Sequence, residues 1–153
     1  MKKGFTLIES IMVMVLVGIL SAVFAFYIRE AVLAWGFLSG QKSLVMASRG
    51  ALNKMVRELK TASQMVTYTT SEVSFINTNG ATVTFVQTGP DLYRGNYIIL
   101  QNLKDPGGLG LTYLDQNGNQ TALAPEIKTI WVELNCVNGA NKFTLKSAAH
   151  LRQ

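Results

Sequence analysis

Apolar and polar positions divide the chain into three regimes. From Phe5 to Ile28 the residues are apolar all round, with a single charged position at Glu9. Such a run reads as a helix, and it exceeds the roughly 20 residues needed to cross a bilayer. Beyond Gly40 the pattern turns amphipathic. Val45, Leu52, Met55, Val56 and Leu59 recur at spacings of three, four and seven, with Arg49, Lys54, Arg57 and Lys60 between them, so this stretch is expected to lie on a sheet. No proline precedes Pro90, and nothing compels the helix to stop before about Ser63. Gly18, Gly36, Gly40 and Gly50 weaken it locally and are candidate bends. A continuous helix over this span would be roughly 90 Å long.

After Ser63 the signal is β. Met65 to Thr70 and Glu72 to Asn77 are rich in β-branched and aromatic residues, and Asn79-Gly80 is a two-residue hairpin signal leading into Thr82 to Gln87. Gly89-Pro90-Asp91 marks a turn before Leu92 to Arg94, and further strands are expected at Tyr97 to Leu103, Leu111 to Leu114, Ile127 to Val137 and Phe143 to Ser147. The fold class is therefore α+β, a long N-terminal helix packed on one meandering antiparallel sheet.

Composition sharpens this picture in two places. The apolar fraction of 48% is high beside 15% charged residues, and the excess lies between Phe5 and Leu38, so the chain is one small domain on a hydrophobic stalk. Of the formal charge of +5, two units belong to Lys2 and Lys3. The basic residues after the stalk (Lys42, Arg49, Lys54, Arg57, Lys60, Lys128, Lys142, Lys146, Arg152) are interleaved with polar residues rather than clustered, which describes a solvated surface and no nucleic-acid partner. Cys136 is the sole cysteine, so no intrachain disulfide forms; its place in the apolar run Ile130 to Val137 marks a buried strand position.

The N-terminus carries the chemistry. Two lysines precede the apolar run and should stay cytoplasmic, with the following domain on the far side of the membrane. Glu9 lies inside that run, where a carboxylate costs on the order of 2.5 to 3.5 kcal/mol on insertion scales and needs a partner or a route to the headgroups. An ordinary signal peptide cut near Val23-Phe24-Ala25 is an alternative, but it accounts for neither Gly4-Phe5 nor Glu9.

Lys2, Lys3, Gly4, Phe5, Thr6, Leu7, Ile8, Glu9 and Ser10 resemble, nearly residue for residue, the class III signal of type IV prepilins. The resemblance implies that a membrane prepilin peptidase cuts between Gly4 and Phe5 and N-methylates the amine of Phe5. It also implies that Glu9 serves subunit assembly. The physics agrees: cutting after Gly4 leaves a cationic amine four residues, about one helical turn, from Glu9, and a neighbouring subunit shifted along the axis can bring its amine to that carboxylate. Desolvation offsets much of the attraction, so such a pair chiefly sets register. The expected organisation is a leader at 1–4, a transmembrane and filament-core half-helix at 5–28, an amphipathic half at 29–63 and a β-sheet domain at 64–153. More loosely, TVTFVQTGPDLYRG, LTYLDQNGN and the closing SAAHLRQ resemble strand and turn segments of minor pilins and pseudopilins.

Other chemistry is sparse. Asp115, Asn117, Asn119 and Glu126 match oxygen-ligand positions of an EF-hand loop, but Gln120 stands where that loop needs glycine and Pro125 precedes the last ligand. A polar hairpin turn is the simpler reading, and no metal or cofactor is expected. His150 is the single histidine, expected at a mobile or edge position, and Cys136 has no activating sequence neighbour. Without a Walker loop, dinucleotide turn, zinc spacing or nucleophile elbow, an enzyme is not expected. Phe75, Phe85, Tyr93, Tyr97, Tyr113, Trp131 and Phe143 read as core and cross-strand packing. The resulting expectation is a minor pilin of a type IV pilus or a pseudopilin of a type II secretion system, inserted in the inner membrane, with prepilin peptidase, other pilin or pseudopilin subunits and membrane lipids as partners. The rival class is a monomeric membrane-tethered or exported binding domain.

Overall fold

The computed structural model describes residues 6–139 and 141–151, and the chain divides into two compact units, Met1–Lys42 and Ser43–Gln153. Helix α1 runs from Leu7 to Leu59 and passes through Gly18, Gly36, Gly40 and Gly50 without a break. A lone glycine costs a helix interior only about 1 kcal/mol, and the four are spaced at least four residues apart, so no turn carries two of them side by side.

The helix stops four residues before the expected Ser63. Thr61 ends it: its backbone N–H and its Oγ1 both donate to the Glu58 carbonyl, at 2.9 and 2.7 Å, while the Thr61 carbonyl accepts from Thr78 N–H. Ala62 is then buried and Ser63 Oγ donates to the Ile76 carbonyl, so pairing with the sheet takes over from helix propensity.

Strands β1 (Ala62–Tyr68), β2 (Glu72–Asn77), β3 (Thr82–Thr88), β4 (Asp91–Arg94) and β5 (Tyr97–Leu100) form a five-stranded antiparallel meander in sequence order. Strands β6 (Leu109–Leu114), β7 (Thr129–Asn138) and β8 (Asn141–His150) form a second antiparallel sheet in the same order. The single sheet expected from the sequence is thus two.

Residues 101–108 make the division. Leu103, expected to end a strand, turns inward to be buried and pairs as an isolated bridge with Cys136 of β7. Leu103 N–H donates to the Pro90 carbonyl, Lys104 N–H to the Asn135 carbonyl and Asn135 N–H to the Gly108 carbonyl. Gln87 of β3 adds a clasp: its Nε2 donates to the carbonyls of Gly89 and Lys104, each at 2.8 Å, and its Oε1 accepts from Leu109 N–H at 2.7 Å.

The hairpin at Asn79-Gly80 has a loop of three residues, not two. Asn77 N–H donates to the Ala81 carbonyl and Gly80 N–H to the Asn77 carbonyl, and Gly80 takes a φ of 79°. The Asn77 side chain selects this loop, because its Oδ1 accepts from the N–H groups of Asn79 and Ala81.

From α1 the core takes Leu44, Ser48, Ala51, Leu52, Met55 and Leu59, one face at helical spacing. They join Val73, Phe75, Phe85, Leu92, Ile130, Val132 and Leu134, so the stretch of the helix from Leu44 to Leu59 packs against the β-sheets. Burial of each large side chain contributes about 1.5 to 3 kcal/mol. Val45 and Val56, expected on this face, are half-buried at its edges. Phe75 and Phe85 stack inside it, and Tyr113 packs edge-on against Tyr68. Two of the expected packing aromatics lie outside: Tyr97 is 76% exposed on edge strand β5, and Trp131 is 54% exposed on the outer face of β7.

Candidate functional site

Gly4 and Phe5 lie outside the described residues. The helix they lead into begins at once: the Thr6 carbonyl accepts from the N–H groups of Glu9 and Ser10, at 3.1 and 3.3 Å. Glu9 is therefore in the first turn, where the unpaired N–H groups and the helix dipole favour a carboxylate. Thr6-Leu7-Ile8-Glu9 also has the spacing of a capping box, a local signal the sequence reading passed over. Glu9 is exposed, and among the described residues it has no ion-pair partner within the chain.

Every residue from Thr6 to Gly40 is exposed. Leu7 is 81% and Trp35 77% open, with Met14, Phe24, Phe26, Tyr27 and Val32 comparably bare. α1 has the length and apolar composition of a membrane span at this end. A surface this apolar is a lipid or protein contact surface, since patches beyond a few hundred Å² are rare on soluble monomers.

The domain's polar groups are used for structure. Arg94 Nε donates to both oxygens of Glu58, at 3.0 and 2.7 Å, tying the last turn of α1 to β4. The Leu-Tyr-Arg stretch noted in the sequence thus has a structural use, since Leu92 is fully buried beside it. Ser48 Oγ donates to the Leu44 carbonyl and lies 3.2 Å from Cys136 Sγ. Burial pushes the Cys136 thiol up, and the hydrogen bond with Ser48 opposes this only in part. Cys136 is a buried strand cysteine, as its sequence setting predicts. Tyr113 donates to the Thr69 carbonyl at 2.8 Å, and burial, followed by the nearby Glu72, holds its hydroxyl far above the ordinary range.

Asp115, Asn117 and Asn119 form a turn, and Glu126 lies apart in the short helical turn Ala124–Glu126. Asp115 Oδ1 accepts from the N–H groups of Asn117 and Asn119, and Glu126 Oε2 accepts from Thr121 Oγ1. The Asn119 N–H is the largest influence lowering the Asp115 carboxyl below its usual value. Asp115, Asn117 and Glu126 line a shallow hollow that Lys128 shares, and among the described residues no group of three His, Cys, Asp or Glu side chains could hold a metal ion. His150 takes the edge position expected of it, at the end of edge strand β8 opposite Thr129, whose Oγ1 is 3.1 Å from Nδ1.

Residues 1–25 match the family model described as the prokaryotic N-terminal methylation motif. The chain therefore carries the class III prepilin signal of type IV pilin-like proteins, and the motif is that of a structural subunit processed by prepilin peptidase. No curated protein and no solved structure matches the chain.

Proposed function

We propose that this chain is a minor pilin or pseudopilin, assembled from the inner membrane into a type IV pilus or related filament and acting in its initiation or tip complex. In this reading prepilin peptidase cuts between Gly4 and Phe5 and methylates the Phe5 amine. Residues 5–28 then hold the subunit in the bilayer with residues 64–153 outside the cytoplasm. The observation that carries the reading is the prepilin motif leading without interruption into a helix whose apolar side chains are bare on all sides from Thr6 to Gly40.

Assembly exchanges lipid contacts for helix packing, and the gain comes from close van der Waals fit rather than from leaving water. Glu9 and a neighbour's Phe5 amine neutralise each other across that packing, and the pair fixes stagger because either charge alone is costly there. The lack of an intrachain disulfide and the small β-domain favour a low-abundance subunit over the bulk one.

Glu9→Leu tests the reading. The variant is expected to insert and fold as the native chain does, yet to be absent from sheared filaments. The mature N-terminus, read by mass spectrometry, is expected to be N-methyl-Phe5. A native chain that keeps its basic leader, or a Glu9→Leu chain that enters filaments normally, refutes assembly through this end.

A further inference from the structure

Along β7 the side chains Ile130, Val132, Leu134 and Cys136 are buried, and the positions between them face away from the core. At the centre of that outer face stands Trp131, 54% exposed and absent from the ring pairs among the described residues. A single exposed apolar residue is by itself ordinary. The surroundings of Trp131 are not.

Strand register fixes its neighbours. Thr112 of β6 and Ala148 of β8 lie directly opposite it, one on each side, and both are too short to cover an indole. The same face of β7 continues to Thr129 in one direction and Glu133 in the other, and each is paired with β8. Thr129 Oγ1 lies 3.1 Å from His150 Nδ1, and Lys146 Nζ donates to Glu133 Oε2 at 2.7 Å. These four side chains are all at least partly exposed, and Leu114 is half-buried at a corner. The patch is thus an open aromatic plate with small residues at its sides and a hydrogen-bonding pair at either end.

Size and charge limit what fits. Three strands about 4.8 Å apart and five residues of β7 at about 3.4 Å each span about 10 by 14 Å. A stable protein interface covers roughly 800 Å² of each partner, so a lone indole in this area falls far short of one. The lysine of the patch is already held by Glu133, so phosphate finds no unpaired ammonium beside the ring.

We propose that this face binds a neutral β-linked glycan, with one hexopyranose ring stacked on Trp131. Equatorial hydroxyls leave such a ring with axial C–H bonds on its flat faces. Neighbouring oxygens polarise those bonds, and the negative face of the indole attracts them. The hydroxyls then lie around the rim, where the Thr129 and His150 pair and the Glu133 and Lys146 pair supply donors and acceptors. Ligand and patch share one polarity pattern, apolar in the middle and hydrogen-bonding at the edge. Binding needs no filament, because the patch is complete within one chain.

Calorimetric titration of the full-length chain with cellohexaose, in a polyoxyethylene detergent that carries no sugar, tests this. The native chain is expected to give saturable binding that added salt leaves unchanged. Trp131→Ala is expected to weaken it by about tenfold or more, with Tm within about 2 °C of native because the site is exposed. Ala148→Arg, which sets a guanidinium over the intact ring, is expected to weaken it likewise. A native chain with no saturable binding overturns the proposal. So does a Trp131→Ala or Ala148→Arg chain that binds as the native one does. Oligothymidylate bound more tightly than cellohexaose, in a manner lost in Trp131→Ala and weakened by salt, overturns it in favour of a single-stranded nucleic acid.

Discussion

Gly50 and Gly108 invite the same substitution with opposite results. A Cβ built on Gly108 meets the Lys104 carbonyl oxygen at 2.5 Å, Leu103 Cβ at 2.6 Å and Gln87 Nε2 at 3.0 Å. The first is backbone, held at 2.8 Å by Gln87 Nε2, and the second belongs to a buried side chain. Relief requires residues 103–104 or 108 to move, which strains the bonds from Gln87 Nε2 to the Lys104 carbonyl and from Asn135 N–H to the Gly108 carbonyl. Overpacking costs about 1 to 3 kcal/mol and each weakened hydrogen bond about 0.5 to 1.5, while lost unfolded-state entropy returns about 0.4 to 1. The net for Gly108→Ala is about 2 to 4 kcal/mol of destabilisation, a large part of a typical domain's stability. A Cβ on Gly50, in an exposed position of α1, meets nothing within 4 Å, so Gly50→Ala is expected to stabilise by up to about 1 kcal/mol. Thermal unfolding of the full chain in detergent, followed by near-UV circular dichroism, is expected to show Tm lower by about 8 to 15 °C for Gly108→Ala and slightly higher for Gly50→Ala. A Gly108→Ala Tm within about 2 °C of native would refute the close approach of residues 103–108 that divides the two sheets.

Three further outcomes follow from the domain. Arg94→Ala is expected to cost about 1 kcal/mol, less than its two short bonds to Glu58 suggest, because the Arg94 side chain is 37% exposed and solvent screens the pair; urea unfolding with an unchanged midpoint would count against any tie between α1 and β4. The Asp115 carboxyl is lowered by the Asn119 N–H and its neighbours, so its contribution is present above its unfolded value near 3.9 and is lost as pH falls through the lower folded value. Asp115→Asn keeps an acceptor in the turn and removes that titration, so its Tm should fall less steeply than the native one below about pH 4; parallel curves would contradict this. Cys136, buried with its thiol raised, is expected to react with a thiol reagent at pH 8 about a hundredfold faster or more in denaturant than in the folded chain, and equal rates would place it at the surface.

The features legible from sequence are those set by short-range periodicity and by one dense motif. The apolar run after Gly4-Phe5, the amphipathic pattern through Leu52, Met55 and Leu59, and the β-branched and aromatic stretch Glu72 to Asn77 each state an element directly, because helical periodicity and strand composition are both set by near neighbours along the chain. The capping-box spacing of Thr6 and Glu9 is an equally local signal for the helix start. Three outcomes had no local signal. Leu103 looked like the end of a strand, and only its bridge to Cys136 shows that it leaves one sheet to seal against another. Trp131 and Tyr97 fit strand alternation as well as Phe75 and Phe85 do, yet period two does not say which face meets a partner sheet. The loop of Asn79 and Gly80 is set by the Asn77 side chain, two residues before the two-residue signal.

The sequence by itself determined the prepilin signal, the α+β class and the stalk, because cleavage signals are read as linear strings and solvent partition depends on composition over a few turns. Tertiary structure decided that the strands form two sheets, that Gln87 and Gly108 hold them at one junction, and that Arg94 locks onto Glu58. Each of these joins groups distant along the chain, and their approach is set by packing and by the need to satisfy every buried N–H and carbonyl.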